Sequence, residues 1–238
     1  MADVSLTIKK KQFIVTGYSS DLANLALAKF SKYNEIFGTY NSNKIDVNEK
    51  NIFLHKLDLS NEESIKKYVD EIKNKLSKII IINFAAYKND NLILNYKKSD
   101  LKNAFNINVF SNFLLTKYLT PIMINNKWGR IIHISSEKAL RGTVGSSIYS
   151  SSKAALIGLN RGIAKEYARF GITSNIINLG YFDSGLYRKL PDKTKREFIN
   201  SSPTKKLGSP SNIYNCISFL IESDFTNGSI ITIDGCMD

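Results

Sequence analysis

Hydrophobic residues follow two alternating patterns along the chain. Short runs of apolar, mostly β-branched residues are separated by longer segments in which apolar residues recur every three or four positions. The first pattern is typical of strands and the second of amphipathic helices. Two of the runs, Ile79–Ile82 and Ile131–Ile134, are almost entirely apolar, which is typical of strands covered on both faces.

These patterns predict strands that alternate with helices over the whole chain. The predicted strands are Phe13–Thr16, Glu35–Tyr40, Ile52–Leu57, Ile79–Asn83, Gly129–Ser135, Thr173–Asn178 and Ser229–Asp234. The predicted helices are Leu22–Tyr33, Asn61–Leu76, Ser99–Asn126, Tyr149–Phe170 and Ser209–Glu222. Ser60 and Glu63 have the spacing of a capping box at the second helix. Strand–helix alternation implies right-handed crossovers and a parallel sheet. We therefore predict one α/β domain over residues 1–238, a Rossmann-type doubly wound parallel sheet with helices on both faces.

The composition excludes several classes of protein. Of 238 residues, 43% are hydrophobic, 4 are proline and 13 are glycine, which rules out collagen-like and low-complexity chains. No apolar run approaches the roughly 18 residues of a membrane-spanning helix, and Met1–Lys11 lacks the apolar core of a signal peptide. The two cysteines, Cys216 and Cys236, cannot form a disulfide framework. These features predict a cytoplasmic protein with no membrane partner.

The chain is strongly basic. Its 33 Lys and Arg residues outnumber 21 Asp and Glu residues, which gives a formal net charge of +12. Such a surface attracts anions. The basic residues are scattered in short groups such as Lys9–Lys11, however, and no nucleic-acid-binding signature is present. We therefore expect a solvated lysine-rich surface and no nucleic-acid partner.

A short polar turn joins the first strand to the first helix. It begins at Thr16-Gly17 and runs through Ser19, Ser20 and Asp21. The free amides and the dipole of a helix N-terminus favour a bound anion such as a pyrophosphate. The dinucleotide fingerprint has three glycines and this turn has only Gly17, so an ordinary strand–helix turn is an equally good interpretation of this segment alone.

A second group of residues suggests proton-transfer chemistry. Tyr149 and Lys153 are four positions apart at the start of a predicted helix and so share one face. A neighbouring ammonium group favours the phenolate and lowers the pKa of a tyrosine, which suits a general acid or base. Ser136 follows a strand, and Asn108 lies in the preceding long helix. A Tyr-x-x-x-Lys pair alone is also typical of a solvated helix face.

Taken in chain order, these segments resemble the short-chain dehydrogenase/reductase family from about Gln12 to Gly235. The segment Gly129–Gly180 most resembles bacterial 3-oxoacyl-(acyl carrier protein) reductases. Segments similar to the family's motifs are Thr16-Gly17 in the glycine turn, Leu57-Asp58-Leu59 near the adenine, Asn83-Phe84-Ala85-Ala86 after the fourth strand, Asn108-Val109 in the long helix, and Asn175–Gly180.

The resemblance implies a site for a nicotinamide cofactor and a Tyr-based mechanism. Tyr149 donates a proton to a substrate carbonyl while the nicotinamide delivers hydride, and Ser136 holds the carbonyl oxygen. Lys153 binds the nicotinamide ribose and lowers the pKa of Tyr149, and Asn108 holds a water of a proton relay. No metal is expected. The implied cofactor-binding residues are Gly17, Ser19, Ser20, Asp21, Leu22, Asn41, Ser42, Asp58, Leu59, Asn83, Ala85, Ala86, Tyr149, Lys153, Gly180, Phe182 and Ser184.

The chain departs from the family's pattern at four positions. Asp21 and Ala23 replace the second and third glycines, Ala86 replaces a glycine and Leu179 replaces a proline. The carboxylate of Asp21 either repels the pyrophosphate or caps the first helix, and we favour the cap. A non-catalytic protein that senses a nucleotide is the alternative from another functional class.

The end of the second strand bears on the choice of cofactor. NAD-dependent relatives usually carry an acidic residue there to bind the ribose 2′-hydroxyl, whereas this chain has Asn41, Ser42 and Lys44. These side chains can hold a 2′-phosphate, so NADP(H) is favoured over NAD(H), although Ser20 stands where many NADP-dependent relatives have arginine.

The substrate is expected to contact Glu137–Ile148 and a lid at Tyr181–Gly208. The lid is rich in Lys and Arg, which suits an anionic or carrier-bound carbonyl substrate, and a small molecule such as a sugar of a polysaccharide pathway is the alternative. In relatives, the helices equivalent to Ser99–Asn126 and Tyr149–Phe170 form subunit contacts. The resemblance therefore implies a homotetramer or homodimer.

Overall fold

The computed structural model describes residues 8–188 and 190–236. Within this part the strands are β1 Gln12–Thr16, β2 Glu35–Tyr40, β3 Ile52–Lys56, β4 Ile79–Asn83, β5 Gly129–Ser136, β6 Ile172–Leu179 and β7 Ile230–Ile233. The α-helices are α1 Asp21–Leu27, α2 Glu62–Ile72, α3 Lys98–Phe105, α4 Ser111–Asn125, α5 Lys138–Arg141, α6 Ser147–Tyr167, α7 Gly185–Arg188, α8 Asp192–Ser201 and α9 Pro210–Glu222.

All seven strands form one parallel sheet in the order β3-β2-β1-β4-β5-β6-β7. The chain builds outward from β1 to β3, returns to the centre, and then builds outward in the other direction from β4 to β7. The connections leaving β1 and β4 therefore diverge, which opens a crevice at the carboxyl ends of these two strands. The predicted α/β class and doubly wound sheet are confirmed.

Helices bury both faces of the sheet because successive strand residues point to opposite sides. Phe13 and Val15 of β1 belong to the core cluster that α1 and α9 cover, whereas Ile14 belongs to the cluster that includes Ile65 of α2 and Leu115 of α4. The apolar strands at Ile79–Ile82 and Ile131–Ile134 are buried at every position.

The start of α2 differs from the predicted capping box. Asn61 is the N-cap, and its side-chain oxygen accepts a hydrogen bond from the Ser64 amide at 3.2 Å. Ser60 instead donates to the Asp58 carboxylate at 2.7 Å, so its hydroxyl is turned away from the helix. Asparagine is as good an N-cap as serine. Asn61 takes this role because the Ser60 hydroxyl is hydrogen-bonded to Asp58.

Other predicted boundaries also shift. The segment predicted as one helix over Ser99–Asn126 consists of α3 and α4 joined by a π-helical turn at Asn106–Phe110. The first helix ends at Leu27 and continues as a 3₁₀ turn over Ala28–Lys32. The lid contains the short helices α7 and α8, which no apolar periodicity in this lysine-rich segment had indicated.

Candidate active site

The turn between β1 and α1 requires glycine at its first position. Gly17 has a φ of +66°, and a Cβ atom there would lie 2.8 Å from the Cα atom of Ala85. The Gly17 amide donates to Thr39 Oγ1 at 3.3 Å, and the Ala85 amide donates to Thr16 Oγ1 at 3.1 Å. These contacts join the ends of β1, β2 and β4 at the crevice.

The prediction that Asp21 caps α1 is wrong. Ser20 is the N-cap, and its hydroxyl accepts a hydrogen bond from the Ala23 amide at 3.3 Å. Asp21 is already the first residue of the helix, so its side chain lies beyond the capping position. The pKa of the Arg188 guanidinium in the lid is raised mainly by its hydrogen bond to Asp183 and, to a smaller extent, by the charge of Asp21.

A cleft of about 240 Å³ lies at the ends of these three strands. Gly17, Ala85 and Ala86 contribute backbone and small side chains to its lining. The other lining residues are Thr39, Tyr40, Asn41, Leu57, Asp58, Leu59, Tyr87 and Ile107. The close approach of Gly17 to Ala85 leaves the turn without side-chain bulk, which is the shape that a dinucleotide needs. Asn41, Asp58 and Leu59, three of the residues predicted to bind a cofactor, line this cleft together.

Several other predicted cofactor residues do not line this cleft. Ser19 and Leu22 are partly buried in the turn, and Ser42 is exposed just beyond Asn41. Ser184 is buried. Gly180 and Phe182 pack against protein, since a Cβ atom on Gly180 would lie 2.7 Å from Asp234 Cα and Phe182 is buried against Gly208.

Asn83 is hydrogen-bonded to its neighbour on the adjacent strand. Its side-chain nitrogen is 3.1 Å from Nδ1 of His133 on β5, and both residues are buried. Burial and, to a smaller extent, the charge of the Lys153 ammonium lower the pKa of His133 to about 3. The pair therefore holds the end of β4 in place as a neutral hydrogen-bonded unit.

Ser136, Tyr149 and Lys153 converge at the carboxyl end of β5. Ser136 is the last residue of β5, and the other two lie one turn apart in α6. The Lys153 ammonium is fully buried, donates to the Ile134 carbonyl at 2.8 Å and lies 6.0 Å from the centre of the Tyr149 ring. Burial lowers its pKa to about 8.

The predicted lowering of the Tyr149 pKa is wrong for this structure. The pKa of Tyr149 is raised to about 12, first by burial and then by the negative charge of Glu137, while the Ser136 hydroxyl opposes the rise. Lys153 is not among the groups that lower the Tyr149 pKa; its ammonium group donates to the Ile134 carbonyl and lies 6.0 Å from the centre of the Tyr149 ring.

Glu137 is the first residue of the segment that was expected to contact the substrate, although no individual role was predicted for it. Its side chain is buried, and its Oε2 atom accepts a hydrogen bond from Ser136 Oγ at 2.7 Å. The available signal was an acidic residue directly after an apolar strand, at the end of the sheet where ligands bind.

The π-helical turn fixes the orientation of Asn108. The buried Asn108 side chain donates to Ser152 Oγ at 2.8 Å and to the Tyr87 carbonyl at 3.0 Å, and it accepts from the Tyr87 amide at 2.7 Å. Its own carbonyl accepts from Asn112 Nδ2 at 2.7 Å. Asn108 thus ties α6 to the segment after β4, and π-turns of this kind are frequent at functional sites.

Comparisons with known proteins agree with this arrangement. The family model described as enoyl-(acyl carrier protein) reductase matches residues 22–238. The chain is 33% identical to a 3-oxoacyl-(acyl carrier protein) reductase of Buchnera aphidicola, over 96% of this chain and 97% of that protein. It is 31% identical to a subunit of (2S)-[(R)-hydroxy(phenyl)methyl]succinyl-CoA dehydrogenase of Thauera aromatica, over 75% of this chain and 73% of that protein.

A solved structure supports the fold. The chain matches a putative gluconate dehydrogenase from Agrobacterium tumefaciens with a TM-score of 0.87 and 21% identity, over 96% of each chain. None of the helices in the described part of the chain is long and apolar enough to span a membrane. The sheet order, the glycine turn facing the fourth strand and the extent of the sequence matches lead to one conclusion: the chain belongs to the short-chain dehydrogenase/reductase family and is an oxidoreductase of carbonyl and alcohol groups that uses a nicotinamide cofactor.

Proposed function

We propose that the protein interconverts a carbonyl and a secondary alcohol, with Tyr149 as the general acid and base. The observation that carries this proposal is the convergence of Ser136, Tyr149 and Lys153 at the carboxyl end of β5. The cofactor, when bound, supplies or accepts the hydride. The Tyr149 hydroxyl gives its proton to the substrate oxygen during reduction and recovers it during oxidation.

The other site residues support this proton transfer. The Lys153 ammonium is held at the Ile134 carbonyl, from where it is available to the ribose of the cofactor. Asn108 fixes the start of α6 through Ser152, so that the helix presents Tyr149 in a constant position. The high pKa of Tyr149 keeps it protonated at neutral pH, which suits a proton donor in the reductive direction.

We propose NADP(H) as the preferred cofactor. No carboxylate stands at the end of β2, where Tyr40 and Asn41 line the cleft and Ser42 and Lys44 are exposed beside it. Amide, hydroxyl and ammonium donors suit a 2′-phosphate, whereas a 2′-hydroxyl is bound best by a carboxylate. The free thiols of Cys216 and Cys236 support a reducing compartment, and we place the protein in the cytoplasm.

Two substrate classes are candidates. The names of the relatives support a 3-oxoacyl thioester of an acyl carrier protein. A buried carboxylate beside Ser136 favours the second class, a hydroxylated ketone or sugar, because a carboxylate accepts hydrogen bonds from substrate hydroxyls. A non-catalytic nucleotide-sensing protein is the contrasting possibility.

We also propose that the protein assembles as a homotetramer or homodimer through α4 and α6. A groove between these helices is lined by apolar and small residues, including the half-exposed Phe113 together with Gly158 and Gly162. Leu156 of α6 is buried within the chain, whereas Ile163 is mostly buried and also lines this groove.

The test of function is a cofactor titration followed by a substrate panel. Binding of NADPH and NADH is measured first. Initial rates are then recorded with 3-oxoacyl thioesters, hydroxylated ketones and plain ketones. NADPH binding with turnover of at least one class supports the proposal, and cofactor binding without turnover of any class favours the nucleotide-sensing alternative.

A further inference from the structure

The Ser136 hydroxyl is hydrogen-bonded to its neighbours in the site. A serine hydroxyl has one proton and two acceptor sites. The proton of Ser136 is directed to Glu137 Oε2 at 2.7 Å, and Ser136 Oγ accepts from the Lys138 amide at 3.3 Å. The Glu137 carboxylate therefore lies next to Ser136, where a substrate bound at Ser136 can contact it.

Glu137 is held rigidly by its backbone. Its amide donates to the Leu179 carbonyl at 3.1 Å at the end of β6, and its carbonyl accepts from the Leu140 and Arg141 amides at the start of α5. The side chain is 6% exposed. With the backbone fixed, the side-chain torsions of Glu137 determine where its carboxylate points, and the hydrogen bond from Ser136 fixes these torsions.

The second oxygen of this carboxylate is open. Within the described part of the chain Oε1 accepts no hydrogen bond, and it is not among the unpartnered atoms that are sealed from solvent. The nearby cation Lys138 is turned to Ser146 Oγ at 3.2 Å, and no salt bridge among the described residues includes Glu137. Glu137 therefore presents an accessible charged acceptor beside Ser136.

The charge of Glu137 also reaches the two tyrosines of the site. It raises the pKa of Tyr149 on α6 and that of Tyr181 in the lid, in each case after the larger effect of burial. Asp90 acts on the same two groups more weakly, and Arg141 opposes the effect at Tyr181. The carboxylate thus lies close enough to both Tyr149 and Tyr181 of the lid to act on the two groups.

We propose that Glu137 determines specificity by accepting a hydrogen bond from a hydroxyl on the carbon next to the reacting carbonyl. The substrate class is then a 2-hydroxyketone or the matching vicinal diol. This inference rests on the proposed function. A 3-oxoacyl thioester carries methylene groups at both neighbouring carbons and offers no donor there, so the inference separates the two substrate classes named above.

The test uses two ketones that differ by one hydroxyl, 3-hydroxy-2-butanone and 2-butanone. We expect kcat/KM for NADPH-dependent reduction to be at least about tenfold higher for the hydroxyketone, because hydrogen bonds to charged groups are the stronger ones. Glu137→Leu should reduce this ratio to about threefold or less. Asp90→Asn is the control for long-range charge and should keep the ratio within about twofold of wild type.

Failure of the inference and failure of the proposed function give different results. Equal kcat/KM values for the two ketones, or a preference that survives Glu137→Leu, would overturn the role of Glu137 while leaving the function intact. If neither ketone is turned over, binding of 2,3-butanediol and 2-butanol to the NADPH-loaded protein is compared by ligand-detected NMR. Tighter binding of the diol that Glu137→Leu abolishes supports the inference, and equal binding overturns it.

Discussion

Lys153 is a charged side chain in a place that disfavours charge. Its ammonium group is fully buried and has one described partner, the Ile134 carbonyl. Burial lowers its pKa from 10.5 to about 8. At neutral pH the group is charged in both states, and keeping that charge has a higher free energy in the buried site than in the solvated unfolded chain. The residue that the mechanism requires is therefore one that destabilises the fold.

Replacing Lys153 by Met should stabilise the protein while abolishing turnover. The gain should be roughly 1–3 kcal/mol below pH 8, because one pKa unit corresponds to about 1.4 kcal/mol, and the lost hydrogen bond offsets part of it. The folded pKa is depressed, so the cost is fully present below about pH 8 and disappears as pH rises to 10.5. Urea unfolding at pH 7 and pH 10 measures the difference. Lys165→Met, at an exposed position of α6, is the control, and an equal gain at both pH values would contradict the explanation.

Tyr149 provides the complementary prediction. Tyr149→Phe should lower kcat at least about a hundredfold while sparing NADPH binding, because it removes the transferred proton and little else. Activity within tenfold of wild type would exclude Tyr149 as the acid.

The pH dependence of the oxidation rate should show the effect of neighbouring charges on the pKa of Tyr149. Alcohol oxidation needs the phenolate, so its acidic limb follows the raised pKa of Tyr149. Glu137→Gln removes a negative charge that raises this pKa and should move the limb to lower pH by about one unit. Asp90→Asn should move it less, since Asp90 contributes less. An unmoved limb in Glu137→Gln would show that another group governs the profile.

Asn41 allows a test of cofactor preference. Asn41→Asp should reverse a preference for NADPH over NADH, since a carboxylate accepts the 2′-hydroxyl and repels the 2′-phosphate. Asn43→Asp is the matched control, because Asn43 is exposed nearby and does not line the cleft. Titrations of both cofactors measure the outcome. Tighter binding of NADH by the unchanged protein would contradict the interpretation of this strand end.

At the scale of elements, two glycines allow the effect of backbone strain in the glycine turn to be measured separately from the effect of a clash with Ala85. Gly17 and Gly142 have φ values of +66° and +69°, but a Cβ atom on Gly17 would meet Ala85 whereas one on Gly142 would meet nothing within 4 Å. Both Gly→Ala variants should lose about 1–3 kcal/mol of stability from the backbone, with Gly142, whose ψ is 169°, towards the upper end of this range. Only Gly17→Ala should also weaken NADPH binding, by about tenfold or more. Equal binding by the two variants would show that the approach to Ala85 is not needed.

The sequence predicted the elements that have one dominant determinant. The strands at Ile79–Asn83 and Glu35–Tyr40 were predicted with the observed bounds because their apolar runs end at polar residues. The cap of α2 was misplaced because Ser60 and Asn61 are both residues that can cap a helix. The sequence does not show that the Ser60 hydroxyl donates to the Asp58 carboxylate, which leaves Asn61 to accept from the Ser64 amide. The π-turn at Asn106–Phe110 was missed because α-helical periodicity continues on both sides of it.

The same reasoning explains what was found of the site. Ser136, Tyr149 and Lys153 were identified through spacing and family resemblance, which record position along the chain. The pKa of Tyr149 and the role of Glu137 depend on burial and on side-chain directions, which emerge only when β5, α5 and α6 pack together. The error about Asp21 has this origin too, since Ser20 reaches the Ala23 amide first.

At the scale of the whole molecule, the proposed assembly can be tested on the groove between α4 and α6. A Cβ atom on Gly158 would meet nothing within 4 Å in the single chain. Gly158→Arg should therefore be tolerated by the fold and even favoured by helix propensity, yet it should prevent a second subunit from packing there. We expect a tetramer or dimer for the unchanged protein and for Gly158→Ala, and a smaller species for Gly158→Arg, by sedimentation velocity. An unchanged mass for the arginine variant would place the contact elsewhere.

The contact between Gly17 and Ala85 also determines how much of the chain must be synthesised before the cofactor can bind. The first strand leaves the ribosome early, but its neighbour β4 follows only after β2, β3 and α2 have emerged. Until Ala85 is in place beside Gly17, part of the lining of the cleft is absent, and we expect that the nucleotide does not bind and so does not stabilise the partly folded chain. A nascent chain that stops before residue 85 should gain no protection from protease on addition of NADPH, whereas the finished chain should be protected in proportion to how much of the ligand is bound.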